Sequence, residues 1–359
     1  MDFGLTEEQE LLQETVRGFV ANECPAPKLR EIFDAGVGTN AELWSGIAEM
    51  GLAGLIVPEA YGGAEMEMLE LALVAETFGA GAVPSPLLGH SLASLALVLG
   101  GSEAQKRKWL PKMAAGESIG TFASAEENSQ WEPSDWSVEE KDGTLSGVKL
   151  YVPHADVADV IVVGCSRGRL AVIERAAKGV TIEDLGGIDR TRPVFKLILD
   201  DVEADVLESG QSVSGRVRDA ALVLLAADSF GVAMSLIQMS TEYAKTREQF
   251  GTIIAQFQSV KHQLARLATD IEPTRALFWY AAHAFDHLPD DAERSAALAK
   301  AHLTDRAMHT ARESVELHGG LGFTWECDVQ IWYKRAMFNK AAFGTPDALR
   351  VRLASLAGW

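Results

Sequence analysis

Residues 214–245 constrain the fold of this chain more than any other stretch. The centre, Ala220-Ala-Leu-Val-Leu-Leu-Ala-Ala, is apolar on every side of a helix and contains no proline. A helix apolar all round has to be enclosed by other helices. The sequence therefore predicts a helical bundle and supplies its other members. Residues 259–287 carry Val260, Leu264, Leu267 and Ile271 along one face, and 292–317, 329–342 and a short helix from Pro346 follow. Asp228-Ser229 interrupts the apolar centre, so no run is expected to span a bilayer.

The chain before this bundle has two textures. Up to about residue 117 the period is helical, with helices expected over 7–21, 41–50, 67–78, 87–98 and 105–115. Thr6 with Gln9 fits a reciprocal capping box, and Ser102 caps the last of these helices. Gly51, Gly62-Gly63, Pro84 and Pro86 punctuate them. From Ser118 the period shortens. Asp142-Gly143 signals a two-residue hairpin, and short β-branched runs at 157–163, 169–173, 180–182 and 194–199 predict an antiparallel β-domain. The expected organisation is mainly α with a middle β-domain: an N-terminal helical domain over 1–117, a β-domain over 118–206 and a C-terminal four-helix bundle over 207–359.

Charge and cysteine content narrow the function. A net charge of −19 repels phosphate and argues against nucleic-acid binding, while leaving docking to a basic redox partner open. Three scattered cysteines, Cys24, Cys165 and Cys327, suit neither a disulfide framework nor a zinc site. The acidic start, Met1-Asp-Phe-Gly-Leu-Thr-Glu-Glu, shows no export signal, so a reduced cytoplasmic location is expected.

Two glycine-bearing turns between helices are the candidates for chemistry. The first, Thr246-Arg247-Glu248-Gln249-Phe250-Gly251 with Gln258 beyond it, offers a guanidinium fork suited to pyrophosphate and a phenyl ring that can pack on a flat group. Read alone, it is more readily a helix C-terminus with a favourable arginine and a glycine stop. The second, His318-Gly319-Gly320-Leu321-Gly322-Phe323, strips side chains from a turn. It serves either as a cap or as a backbone cradle for phosphate or ribose. It follows a helix rather than a strand, which excludes a Rossmann fingerprint. His283 and His287 share a helix face but lack a third ligand, so solvated histidines near a helix end are expected there.

Taken together, Leu5-Thr-Glu-Glu-Gln, Met50-Gly-Leu-Ala-Gly-Leu-Ile-Val-Pro-Glu-Ala-Tyr-Gly-Gly, the Thr246–Gly251 turn with Gln258 and the His318–Phe323 turn resemble the acyl-CoA dehydrogenase family along the whole chain. The resemblance implies FAD, an acyl-CoA thioester substrate and an electron-transferring flavoprotein as acceptor. It also implies that both turns reach the ADP portion of an FAD whose isoalloxazine ring sits in a neighbouring subunit. The implied FAD contacts are Arg247, Phe250, Gly251, Gln258, Glu316, Gly319, Gly320 and Thr345. Glu316 is a blemish, because the family usually has glutamine there and a carboxylate repels pyrophosphate.

Departures from the family pattern fall on one side. Where the family carries its catalytic glutamate before Gly-Thr, this chain has Ala342-Phe343-Gly344-Thr345, and a phenyl ring accepts no proton. The alternative glutamate position falls near Ala221, with only Asp219 close by. The flavin segment Thr-Glu-Pro-x-x-Gly-Ser-Asp is replaced by Ala125-Glu-Glu-Asn-Ser-Gln-Trp-Glu-Pro, and Trp-Ile-Thr by Tyr151-Val152-Pro153. Proline supplies neither hydroxyl nor N–H. The pattern resembles the non-catalytic partner of actinobacterial heteromeric (α2β2-type) acyl-CoA dehydrogenases of steroid and bulky acyl-CoA catabolism. Phe323-Thr-Trp-Glu and Val152-Pro-His-Ala share that flavour. No catalytic residue is then expected in this chain, the base coming from a homologous subunit. The alternatives are a self-sufficient enzyme using Asp219 and an inactive scaffold without flavin.

Overall fold

The computed structural model describes residues 4–127 and 131–359, so Asn128, Ser129 and Gln130 of the altered flavin segment lie outside the described residues. Helices α1 (Glu7–Glu23), α2 (Ala26–Ala35), α3 (Ala41–Glu49), α4 (Met68–Ala80), α5 (Leu87–Gly100) and α6 (Glu103–Ala114) come first. Strands β1 (Gly120–Ala123), β2 (Glu139–Lys141), β3 (Thr144–Pro153), β4 (Val160–Cys165), β5 (Arg169–Glu174), β6 (Val180–Asp184), β7 (Val194–Glu203) and β8 (Asp205–Val206) follow. Helices return with α7 (Gly210–Thr246), α8 (Gln258–Ile271), α9 (Arg275–His287), α10 (Pro289–Leu317), α11 (Val329–Ala341) and α12 (Pro346–Leu356). A hairpin of β9 (Glu248–Gln249) and β10 (Thr252–Ile253) stands between α7 and α8. The expected order of helices, β-strands and helices is what forms.

These elements pack as two units. One takes the residues up to Arg30, Ala72–Val83 and Leu222–Trp359; the other takes Glu31–Leu71 and Pro84–Ala221.

In the unit built on the later helices, α7 is the core. By length and composition it would reach across a membrane, contrary to the expectation drawn from Asp228-Ser229, but 89% of its most apolar window is buried inside the protein. Close approach to α4 depends on Gly231, where an added Cβ would run into the Glu76 carbonyl. Asp228 is buried at 2% exposure and takes Arg335 Nε at 3.1 Å, Arg335 Nη2 at 2.7 Å and Asn339 Nδ2 at 2.6 Å. Arg335 Nη1 also donates to the Val83 carbonyl at 3.0 Å. Residues 259–287 are not one helix as periodicity suggested. Pro273 lacks the N–H needed to continue the ladder, and a 3₁₀ turn over Glu272–Thr274 separates α8 from α9.

The other unit holds two four-stranded sheets, ordered β1-β4-β5-β8 and β2-β3-β7-β6. Their facing residues, including Leu145, Val152 and Leu197 from one sheet and Ile161, Val163, Ala171 and Ile173 from the other, share one core. Asp142-Gly143 makes the expected turn, both residues at positive φ (52° and 81°) between paired Lys141 and Thr144. The antiparallel expectation needs one correction, since β1 pairs parallel with β4. A parallel pair requires a long crossover, and the excursion through β2 and β3 supplies it.

His90 of α5 joins three segments of this unit. Gly120 N–H donates to its Nδ1 at 3.0 Å, so Nε2 carries the proton given to the Ala53 carbonyl at 3.1 Å. Full burial pushes its pKa down from 6.5 to about 4, against the pull of its carbonyl partners. Between these values the unfolded chain binds a proton that the folded chain refuses. Stability is therefore whole above about pH 6.5 and is lost as pH falls toward 4, by up to about 3 kcal/mol. Urea unfolding at pH 7 and pH 4.5 should show a loss that His90→Gln lacks; equal acid losses in both proteins would contradict this.

Candidate functional site

The helix ends that carry the two glycine-bearing turns meet. Tyr243, one helical turn before Arg247, stacks on His318 with ring centroids 4.3 Å apart and planes at 24°. Its hydroxyl also points to the His318 carbonyl at 3.4 Å. The end of α7 is thereby fixed against the end of α10. A further bond, Gln263 Nε2 to Glu313, ties α8 to α10.

The first turn is a projecting hairpin rather than a simple helix stop. Ile254 N–H donates to the Arg247 carbonyl at 2.8 Å, closing its base. Phe250 and Gly251 both take positive φ (55° and 78°) at the tip. Phe250 is 93% exposed, braced edge-on by Phe257 at 6.1 Å. The Arg247 side chain is exposed and makes no ion pair among the described residues. Gln258 opens α8, its side-chain oxygen bonded to His262 at 3.0 Å.

In the second turn each glycine has its own account. Gly319 takes φ +58°, and Gly322 has no room for a Cβ beside the Val315 carbonyl. Gly320 has neither reason: its φ is ordinary for any residue and a Cβ would meet nothing within 4 Å. Nothing among the described residues requires glycine there. Glu316 is exposed on the last turn of α10, beside this surface.

Thr345 does not join this group. Its hydroxyl caps α12 by accepting from Ala348 N–H at 3.4 Å. The turn before it is tied to the early part of α10, where buried Lys300 Nζ donates to the Lys340 carbonyl at 3.0 Å and to the Gly344 carbonyl. From Lys300 to the end of α10 at Leu317, just before the second turn, the helix rises roughly 25 Å. Burial pushes Lys300 down to about 7, against the pull of Asp305. Phe343 is 6% exposed and takes φ +55°, so its phenyl lies inside the protein.

In the β-containing unit the departures have structural partners. Glu126 accepts from Ser137 N–H at 2.8 Å, from Val138 N–H at 3.1 Å and from buried Lys149 Nζ at 2.6 Å. Burial alone would raise its pKa, but the Lys149 and Ser137 bonds outweigh it and hold the carboxyl low. Asp219 is equally committed. Arg218 Nε and Nη2 bond its Oδ1 at 3.0 and 2.8 Å, while Arg218 Nη1 holds Glu132 at 2.8 Å. A carboxylate locked to an arginine is a poor base. Asp219→Asn is therefore expected to leave turnover of the assembled enzyme within about twofold; a loss of about a hundredfold or more, in the range of a general base, would restore Asp219 as a candidate.

Sequence reasoning missed Tyr243 and Trp131. Tyr243 is legible in hindsight, four residues before Arg247 on the same helix face. Trp131 carries no such signal.

Residues 6–117 match the acyl-CoA dehydrogenase N-terminal domain and residues 220–356 the acyl-CoA dehydrogenase C-terminal domain. The chain is 32% identical over 351 residues to acyl-CoA dehydrogenase IpdE2 of Mycobacterium tuberculosis, covering 97% of each. Among solved structures, the Tcur3481-Tcur3483 steroid ACAD G363A variant superposes with a TM-score of 0.90 at 29% identity, covering 98% of both chains. Glutaryl-coenzyme A dehydrogenase in its glutaryl-CoA complex gives 0.90 at 26%, covering 99% of this chain and 96% of that one. The chain belongs to the acyl-CoA dehydrogenase family.

Members of this family bind FAD. The residues here fit it unevenly. Arg247 and the open backbone at Gly320 suit a pyrophosphate. The Tyr151 side offers less, because Pro153 has no N–H and its carbonyl already accepts from Thr121 Oγ1 at 2.6 Å.

Proposed function

We propose that this chain is the FAD-sharing, non-catalytic subunit of a heteromeric acyl-CoA dehydrogenase, with the catalytic glutamate supplied by a homologous partner chain. The reaction is α,β-desaturation of an acyl-CoA thioester. The base takes the α-proton, the β-hydrogen leaves as hydride to the flavin, and electrons pass on to an electron-transferring flavoprotein. The observation that carries this reading is Phe343, a buried phenyl in the turn where the family resemblance puts the base. Asp219, the nearest substitute, is held by Arg218.

Arg247, Phe250, Gly251, Gln258, Glu316, Gly319 and Gly320 form the face offered to the ADP portion of the partner's FAD, with Thr345 a separate contact. On this reading residues 1–117, 118–206 and 207–359 act as helical, β and helical domains of one subunit in a cytoplasmic α2β2 tetramer. The likeness to the Tcur3481-Tcur3483 steroid ACAD variant supports a bulky, steroid-derived acyl group.

Reconstitution tests the proposal. The purified chain alone, with only its weak ADP-binding face, should retain no stoichiometric FAD through gel filtration and should show no turnover. Mixed with a co-encoded, glutamate-bearing homologue, it should yield a flavin-loaded complex with dehydrogenase activity. Turnover by the pure chain would refute the division of labour.

A further inference from the structure

The strand carrying Tyr151 is distorted. Lys149 pairs with Leu197 and Val152 with Phe195, so three steps along β3 match two along β7, a bulge centred on Leu150 and Tyr151. Bulges re-aim side chains, and here Tyr151 takes φ +54° in the left-handed region, which a bulky residue adopts only under constraint. Its neighbours Lys149 and Val152 are buried, while Tyr151 remains 45% exposed. The ring is thus held outward at some conformational cost.

That outward ring already has a stacking partner. Trp131 stacks on Tyr151 with centroids 6.2 Å apart and planes at 20°, within the range of an offset aromatic stack. The residues after Trp131 are pinned. Glu132 is bonded to Arg218, Pro133 is buried, and buried Trp136 lies under Lys149 Nζ at 4.9 Å. The polar groups nearby are also spent, the Pro153 carbonyl on Thr121 and the Glu126 carboxylate on Ser137, Val138 and Lys149.

We infer that Trp131 is a built-in cover, its indole lying on Tyr151 where a flat ligand ring would otherwise stack, so that this unit admits no isoalloxazine of its own. The inference rests on the shared-cofactor reading above and gives it a physical cause. The chain refuses the ring half of FAD through an aromatic contact it makes with itself, in addition to lacking a base.

Half-molecule probes separate the two ideas. Lumiflavin carries the ring without the nucleotide; ADP carries the nucleotide without the ring. With the full-length chain, lumiflavin fluorescence should show no saturable quenching by the wild type or by Trp131→Phe, which keeps a stacked ring. Trp131→Ala should bind it about tenfold or more tightly. Wild type binding lumiflavin as well as Trp131→Ala would overturn the cover. So would a Trp131→Ala protein that has lost the near-ultraviolet dichroism of the Trp–Tyr pair yet gains no lumiflavin binding. ADP should bind wild type and Trp131→Ala alike and be lost in Arg247→Ala. Failure of that arm alone would overturn the shared-cofactor reading and leave the lumiflavin result to decide the cover by itself.

Discussion

Replacing Asp228 by alanine is expected to cost about 3–5 kcal/mol of stability, because it strands a buried guanidinium. Arg335 is 1% exposed and spends Nε and Nη2 on Asp228, while Nη1 donates to the Val83 carbonyl. Asn339 would lose its bond to Asp228 as well. The pair itself need not be strongly stabilising, since desolvating two charges offsets most of their attraction. The asymmetry gives the test. Asp228→Ala should lower the denaturation midpoint severely, whereas Asp228→Ala with Arg335→Met should recover most of the loss. A double-mutant cycle in urea measures the coupling. A cost for Asp228→Ala below about 1 kcal/mol, the size of an ordinary point substitution, would show that water or rearrangement relieves the arginine.

Arg247→Ala carries the second large effect, on cofactor rather than fold. A guanidinium bonding an ionised pyrophosphate contributes about 1.5–3 kcal/mol for each charged hydrogen bond, so FAD affinity of the assembled enzyme should fall roughly ten- to a hundredfold or more. Arg247→Lys should restore only part of it, since an ammonium cannot present the planar fork. The chain's own stability should change by less than about 0.5 kcal/mol, as expected for an exposed residue that makes no ion pair among the described residues. The readouts are flavin absorbance per complex after gel filtration and melting of the apo chain. Full flavin occupancy in Arg247→Ala would remove the turn from the cofactor site. A large stability loss would make Arg247 a structural residue instead.

The features read correctly from the sequence have their partners close by. Thr6 and Gln9 exchange backbone and side-chain bonds at 3.2 and 3.0 Å across one helical turn, and Ser102 and Gln105 do the same. Asp142-Gly143 needs only its own two dihedral angles. The helical run through Pro273 went wrong at a local signal, because apolar spacing on both sides concealed a missing N–H. Helix α2 went unread; its three buried side chains, Leu29, Ile32 and Phe33, give too short a pattern to stand out.

The candidate site divides the same way. Arg247, the glycines and Phe343 are visible as residues in order along the chain, so the family follows from sequence alone, and the proposal that Phe343 stands in for the base starts there. The sequence also decided that residues 214–245 must be enclosed, because their apolar surface leaves no wet face. What encloses them, and at what angle a ring sits, is set by contacts between residues far apart. Tyr243 meets His318 across 75 residues, and Asp228 meets Arg335 across 107. Trp131 finds Tyr151 only because a bulge turns one ring outward and Arg218 fixes the segment after the other. Such pairings form only when the whole chain closes. Their energies depend on burial and geometry that no short window of sequence contains.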